Sequence, residues 1–172
     1  GTADSIFINK EYSTPLYIGF LFTAYNNIYN WNKLDYIFKS PYSSRVTTLF
    51  NGSKTWNEIT AQLPNTFEEF VKADFIESYL NGFEEDLISA LNENTLLNWK
   101  PIAPIHFFHG DADDVVPYEN VLDAINSFES KGTTNIHLTT IRGGTHQTAG
   151  QAAIIGAIEW INAFQETVAL LN

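Results

Sequence analysis

The stretch His109-Gly110-Asp111-Ala112-Asp113-Asp114-Val115-Val116-Pro117 decides the fold. It continues from Ile105-His106-Phe107-Phe108-His109, a short and mostly apolar run led in by Pro101-Ile102-Ala103-Pro104. Such a run fits a buried strand. A loop of carboxylates directly after it lies at the carboxyl end of that strand, where parallel α/β sheets place their sites. Gly110 permits a tight departure from the strand, and Val115-Val116-Pro117 anchors the loop before the next element.

Downstream, residues 118–131 read as a helix with Val121, Leu122, Ile125 and Phe128 on one face and Gly132 just past its end. Residues 136–141 alternate in the manner of a strand. Gly143-Gly144-Thr145-His146 follows as a loop, its two glycines letting the backbone bend and swing an imidazole over the sheet edge. Residues 149–171 then form a long helix with a broad apolar face of Ala153, Ile154, Ala157, Ile158, Trp160 and Ile161. Strand, helix, strand, helix in that order predicts two parallel strands with a right-handed crossover.

Upstream the text differs. Residues 1–12 show no period and read as an irregular lead-in. Ser13-Thr14-Pro15 reads as a helix start, with a hydroxyl cap and a proline in the first turn. Leu16, Tyr17, Phe20, Leu21, Ala24, Tyr25 and Ile28 continue it at helical spacing. Short amphipathic stretches follow at 34–38, 46–50, 56–62, 66–80 and 83–92. Ser40-Pro41, Asn51-Gly52, Leu63-Pro64-Asn65 and Asn81-Gly82 punctuate them. They predict a cluster of small helices with no strand among them. The fold class is therefore α/β, with a helical segment over 1–99 and a β-α-β-α segment over 100–172.

Composition bounds what such a chain does. At 172 residues, 44% hydrophobic and 17% charged, it is a globular chain of about one domain. Nine Lys and Arg against 20 Asp and Glu give a formal charge of −11, which repels phosphate backbones and argues against nucleic acid as a partner. No apolar run is long enough to span a membrane. With no Cys, disulfides, thiol nucleophiles and thiolate metal sites are excluded. Gly1 in place of an initiating Met, and no Met elsewhere, create the expectation of a cut product.

An HG-x-x-D-x-V-P stretch followed, one helix and one strand later, by a glycine-rich loop ending in His resembles the last third of α/β-hydrolases. In that family the nucleophile, acid and base follow the chain order Ser, Asp, His. Matched residue by residue, the acid falls on Asp113 and the base on His146, 33 positions on (146 − 113), room for one helix and one strand. The segment 14–95 is similar, less specifically, to the cap insertion of bacterial secretory lipases and esterases, through residues 17–29, residues 34–38 with Ser40-Pro41-Tyr42, and Leu49-Phe50-Asn51-Gly52. That likeness is the one pointer to secretion. The chain departs from the family in lacking any G-x-S-x-G: Ser53 follows Gly52, but Thr55 stands where the second Gly belongs.

The resemblance implies a partial α/β-hydrolase, a helical cap followed by the last two strands. It would supply Asp113 and His146 to a Ser-His-Asp triad acting on a carboxylic ester, inactive alone and needing no cofactor or metal. Asp111 and Asp114 are the alternative acids, and otherwise loop charges. His109 reads as a structural hydrogen-bonder at the strand end. His106 and His137 read as packing or surface positions, since two strand histidines without a third ligand make a poor metal site. Asn51-Gly52-Ser53 fits a glycosylation acceptor, but a turn explains it. Glu68-Glu69 and Glu84-Glu85-Asp86 read as solvated faces near helix starts. A different class also stands, a non-catalytic association module. On either reading the open sheet edge predicts pairing, with the missing N-terminal half of the hydrolase or with a second copy.

Overall fold

The computed structural model describes residues 14–170, and their side chains through residue 163. The described residues divide between Asn94 and Thr95 into a helical unit and a β-α-β-α unit. The predicted lead-in at 1–12 lies outside the described residues.

The helical unit opens with α1, Pro15–Tyr29. Thr14 occupies its N-cap, but the hydroxyl makes no cap bond, contrary to the expected cap. Pro15, with φ already fixed and no amide to satisfy, starts the helix instead. Asn30 ends it in the left-handed conformation, φ 53°, and the Asn26 side chain accepts the Lys33 amide at 2.9 Å to hold the exit. Short helices α2 Leu34–Ile37, α3 Val46–Leu49 and α4 Trp56–Thr60 follow. Thr55 and Glu58 form a reciprocal capping box at α4.

The helix expected over 66–80 is two, α5 Phe67–Phe70 and α6 Ala73–Leu80, before α7 Glu85–Glu93 closes the unit. The break is at Val71, whose extended backbone forms an isolated antiparallel bridge with Phe38. Lys39 donates to the Phe70 carbonyl and Lys72 to that of Ile37, each at 2.9 Å. Tertiary pairing overrides helical period here because it buries Val71 and Phe38 almost completely. Rings fill the core around them. Phe22 lies edge-on to Phe75 at 5.3 Å and to Phe38 at 6.2 Å, and Phe38 meets Phe70 at 4.4 Å. Glu84 is not on a solvated face. It is buried, accepting from Tyr36 Oη at 2.9 Å and Ser78 Oγ at 2.6 Å, with Lys33 Nζ 3.7 Å away.

The second unit runs β1 Ile105–Gly110, α8 Glu119–Ser130, β2 Ile136–Ile141, α9 His146–Leu170. The two strands pair in parallel, from Ile105 opposite Ile136 to Gly110 opposite Ile141. Gly132 takes φ 83° just past α8. Val121 and Phe128 of α8 are buried, whereas Leu122 is exposed. One expectation needs correction. β1 is half-buried along most of its length rather than buried, because β2 is its only strand neighbour among the described residues. The apolar face of α9 is largely uncovered, with Ile154, Ile158 and Ile161 exposed. The helix meets the sheet through Gly156, where a Cβ would approach the Phe108 ring to 2.6 Å, and through Trp160, edge-on to His106 at 5.4 Å.

Candidate active site

The loops after β1 and β2 are locked together by their backbones. Asp111 donates its amide to the Ile141 carbonyl at 3.3 Å, and Ala112 donates to Gly144 at 3.2 Å. This brings Gly110 so close to Gly144 that only glycine fits there. The interlocking sets the two chemistry-bearing loops side by side at the carboxyl end of the sheet.

Asp113 lies in the first of them and His146 directly follows the second, and Nδ1 of His146 lies 3.1 Å from Oδ2 of Asp113. An ionised carboxylate only accepts, so Nδ1 donates to it, and a ring that carries this proton alone presents its lone pair at Nε2. The other carboxylate oxygen, Oδ1, accepts the amides of Val115 at 2.9 Å and Val116 at 2.8 Å. The Val-Val of the motif therefore orients the acid as well as anchoring the loop. Burial pushes the Asp113 carboxyl up, but the Val116 and Val115 amides and His146 outweigh it and hold the group below the usual carboxylate range. The carboxylate side chain is 7% exposed and the imidazole 53%: a fixed, buried carboxylate beside an accessible imidazole.

His146 is not in the loop, as its sequence position had suggested. It is the first residue of α9, which starts three residues earlier than the apolar pattern predicts. The signal was Thr145 and Thr148: the Thr148 amide donates to Thr145 Oγ1 at 3.2 Å and the Thr145 amide to Thr148 Oγ1 at 2.8 Å, a reciprocal cap. Asp111 and Asp114 are not mere loop charges either. Asp111 Oδ1 accepts the Gly143 amide at 2.6 Å, and Asp114 Oδ1 accepts the His146 amide at 3.2 Å.

The other histidines have contacts of their own. His109 Nδ1 donates to the Gly110 carbonyl at 2.9 Å, and its ring meets Tyr118 edge-on at 5.6 Å. His106 stacks on Phe108 at 4.1 Å and pairs through Nε2 with Thr139 Oγ1 at 2.9 Å. His137 contacts Asn135 Oδ1 at 3.0 Å. Ser53 bonds within its own turn to Asn51 Oδ1. Among the described residues no cluster of three or more His, Cys, Asp or Glu is placed to hold a metal ion, and no helix is long and apolar enough to cross a membrane.

No family model and no curated protein sequence matches the chain. Solved structures do. A protein of Legionella pneumophila provisionally named a hydrolase superposes with a TM-score of 0.78 at 21% identity, over 88% of this chain and 41% of its own. The rice cell wall degrading esterase LipA of Xanthomonas oryzae, in a ligand-bound form, superposes with a TM-score of 0.69 at 22% identity, over 75% of this chain and 35% of its own. The chain thus has a partial α/β-hydrolase fold, and it spans about two fifths of the length of the hydrolases and esterases it resembles.

Proposed function

We propose that this chain supplies the acid, Asp113, and the base, His146, of a Ser-His-Asp triad in a carboxylic-ester hydrolase, with the helical unit serving as its cap segment. The observation that carries the reading is the 3.1 Å contact from His146 Nδ1 to a carboxylate whose other oxygen is pinned by two amides. Asp113 holds the imidazole in the Nδ1–H tautomer, so that Nε2 takes the serine proton as the hydroxyl attacks the ester carbonyl. The imidazolium that forms is stabilised by Asp113 and then protonates the leaving alcohol. Water repeats the cycle on the acyl-enzyme.

The serine is contributed by polypeptide other than residues 1–172, which hold no G-x-S-x-G. That polypeptide pairs with the edge of β1 that has no strand neighbour among the described residues, and a second copy of this chain is the competing occupant of the edge. The partial coverage of the solved hydrolases supports this, as does the half-buried state of β1. An apolar ester suits the helical unit, where Tyr17 and Phe20 flank Trp56 at 5.5 and 6.1 Å with all three rings partly exposed.

The test is ¹⁵N NMR of the histidine rings in the chain itself. At pH 8 His146 is expected as the Nδ1–H tautomer, and Asp113→Asn is expected to abolish that preference. An Nε2–H ring in the parent chain, or no response to Asp113→Asn, sinks the reading. The chain alone is expected neither to cleave p-nitrophenyl esters nor to react with a fluorophosphonate. A monomer in light scattering with protected amides along 105–108 counts against pairing at the edge.

A further inference from the structure

Three carboxylates of the first loop each grip a different group of the second loop or of the helix start that follows it: Asp111 the Gly143 amide, Asp113 the His146 imidazole, Asp114 the His146 amide. His146 is thereby held at both ends, its ring at 3.1 Å and its backbone at 3.2 Å, by neighbouring residues of one loop. The backbone grip has a physical cause. The amide of the first helical residue has no acceptor within the helix. The Thr145–Thr148 cap occupies the amides of those two residues and leaves that of His146 to Asp114.

We propose that Asp114, seconded by Asp111, is a positioning residue for the base: it fixes the backbone from which the imidazole reaches Asp113. The inference rests on the acid–base reading of Asp113 and His146. Asp114 is exposed, so solvent and salt screen its charge. What it contributes is a directed hydrogen bond, which an Asn side-chain oxygen also provides and Ala does not.

The experiment compares Asp114→Ala, Asp114→Asn and Asp113→Asn in the full ¹⁵N-labelled chain, with the Phe108 and Trp160 resonances reporting an intact fold. In D114A, exchange of the His146 Nδ1 proton with water is expected to quicken about tenfold, the size of one lost hydrogen bond. The ring nitrogens should shift towards the Nε2–H pattern. D114N should match the parent. A parent-like D114A, or a D114N that behaves as D114A, overturns the proposal. If D114A does not fold, Asp114→Glu keeps the charge but displaces the acceptor by a methylene. It carries the same expected loss, and a parent-like D114E is the same refutation. D113N separates the two readings. If it leaves the ring unchanged, the acid–base pairing has failed; if it alone perturbs the ring, only the role of Asp114 has.

Discussion

Gly110 and Gly144 meet backbone to backbone: a Cβ on Gly110 would stand 2.0 Å from the Gly144 carbonyl oxygen and 2.7 Å from its carbon. The approach lets Ala112 donate to that same carbonyl and brings the loop of Asp113 against the loop that precedes His146. Rigid backbone on both sides leaves no room to yield.

Gly110→Ala is therefore expected to destabilise the chain by about 3 kcal/mol, read from urea unfolding, and to loosen the Asp113–His146 contact. Gly150→Ala, at a helical site with nothing within 4 Å, is expected to stabilise by about 0.5–1 kcal/mol. A neutral G110A would mean that the loops are not apposed in this way.

Acid should weaken the fold in two steps of the same sign. The His106 ring is held below its ordinary value, chiefly by burial and secondarily by His137, so the folded chain prefers it neutral. Its contribution is complete above about pH 6.5 and is lost as pH falls from there through the folded value. Asp113, also depressed, contributes fully above about pH 3.9 and loses its share as pH falls below that through its folded value. In denaturant melts against pH, His106→Gln should flatten the first step and Asp113→Asn the second. Unchanged profiles would remove these groups as the cause.

Phe22, fully buried between the rings of Phe38 and Phe75, should be the costliest truncation in the helical unit. F22A is expected to lose about 3–5 kcal/mol, whereas F83A, at a ring 76% exposed, should be nearly neutral. Thermal or urea melts decide between a packed aromatic core and a loose one, in which the two would cost alike.

Ile154 and Ile158 are 63% and 55% exposed on α9, so replacing both by Ser costs the fold little. If that stripe is where the chain associates, the double variant should sediment as a smaller species at concentrations where the parent self-associates. Equal sedimentation would shift attention to the edge of β1.

The β-α-β-α order and the two loops were legible because local rules govern them. Glycines mark the departures, a six-residue alternation marks β2, and Gly132 marks the end of α8. What escaped was decided by tertiary partners. Val71 looks helical by period and is extended because Phe38 pairs with it. Glu84 looks solvated by its acidic company and is buried because Tyr36 and Ser78 supply donors. The apolar pattern puts the start of α9 too late because it begins only after a polar first turn. There Thr145 and Thr148 carried the signal as a hydroxyl pair in place of the usual acidic partner. Asp111 and Asp114 could be seen as charges, but which amides they would hold depends on how the loops interlock.

That His146 opens α9 gives the helix a second meaning. The imidazole is mounted on the first residue of a rod of 25 residues, about 37 Å long at the rise of an α-helix. Its uncovered isoleucines lie from two turns further along. Its seat on the sheet is at Gly156 against Phe108, so a tilt of the rod about that point is carried to the ring at its tip.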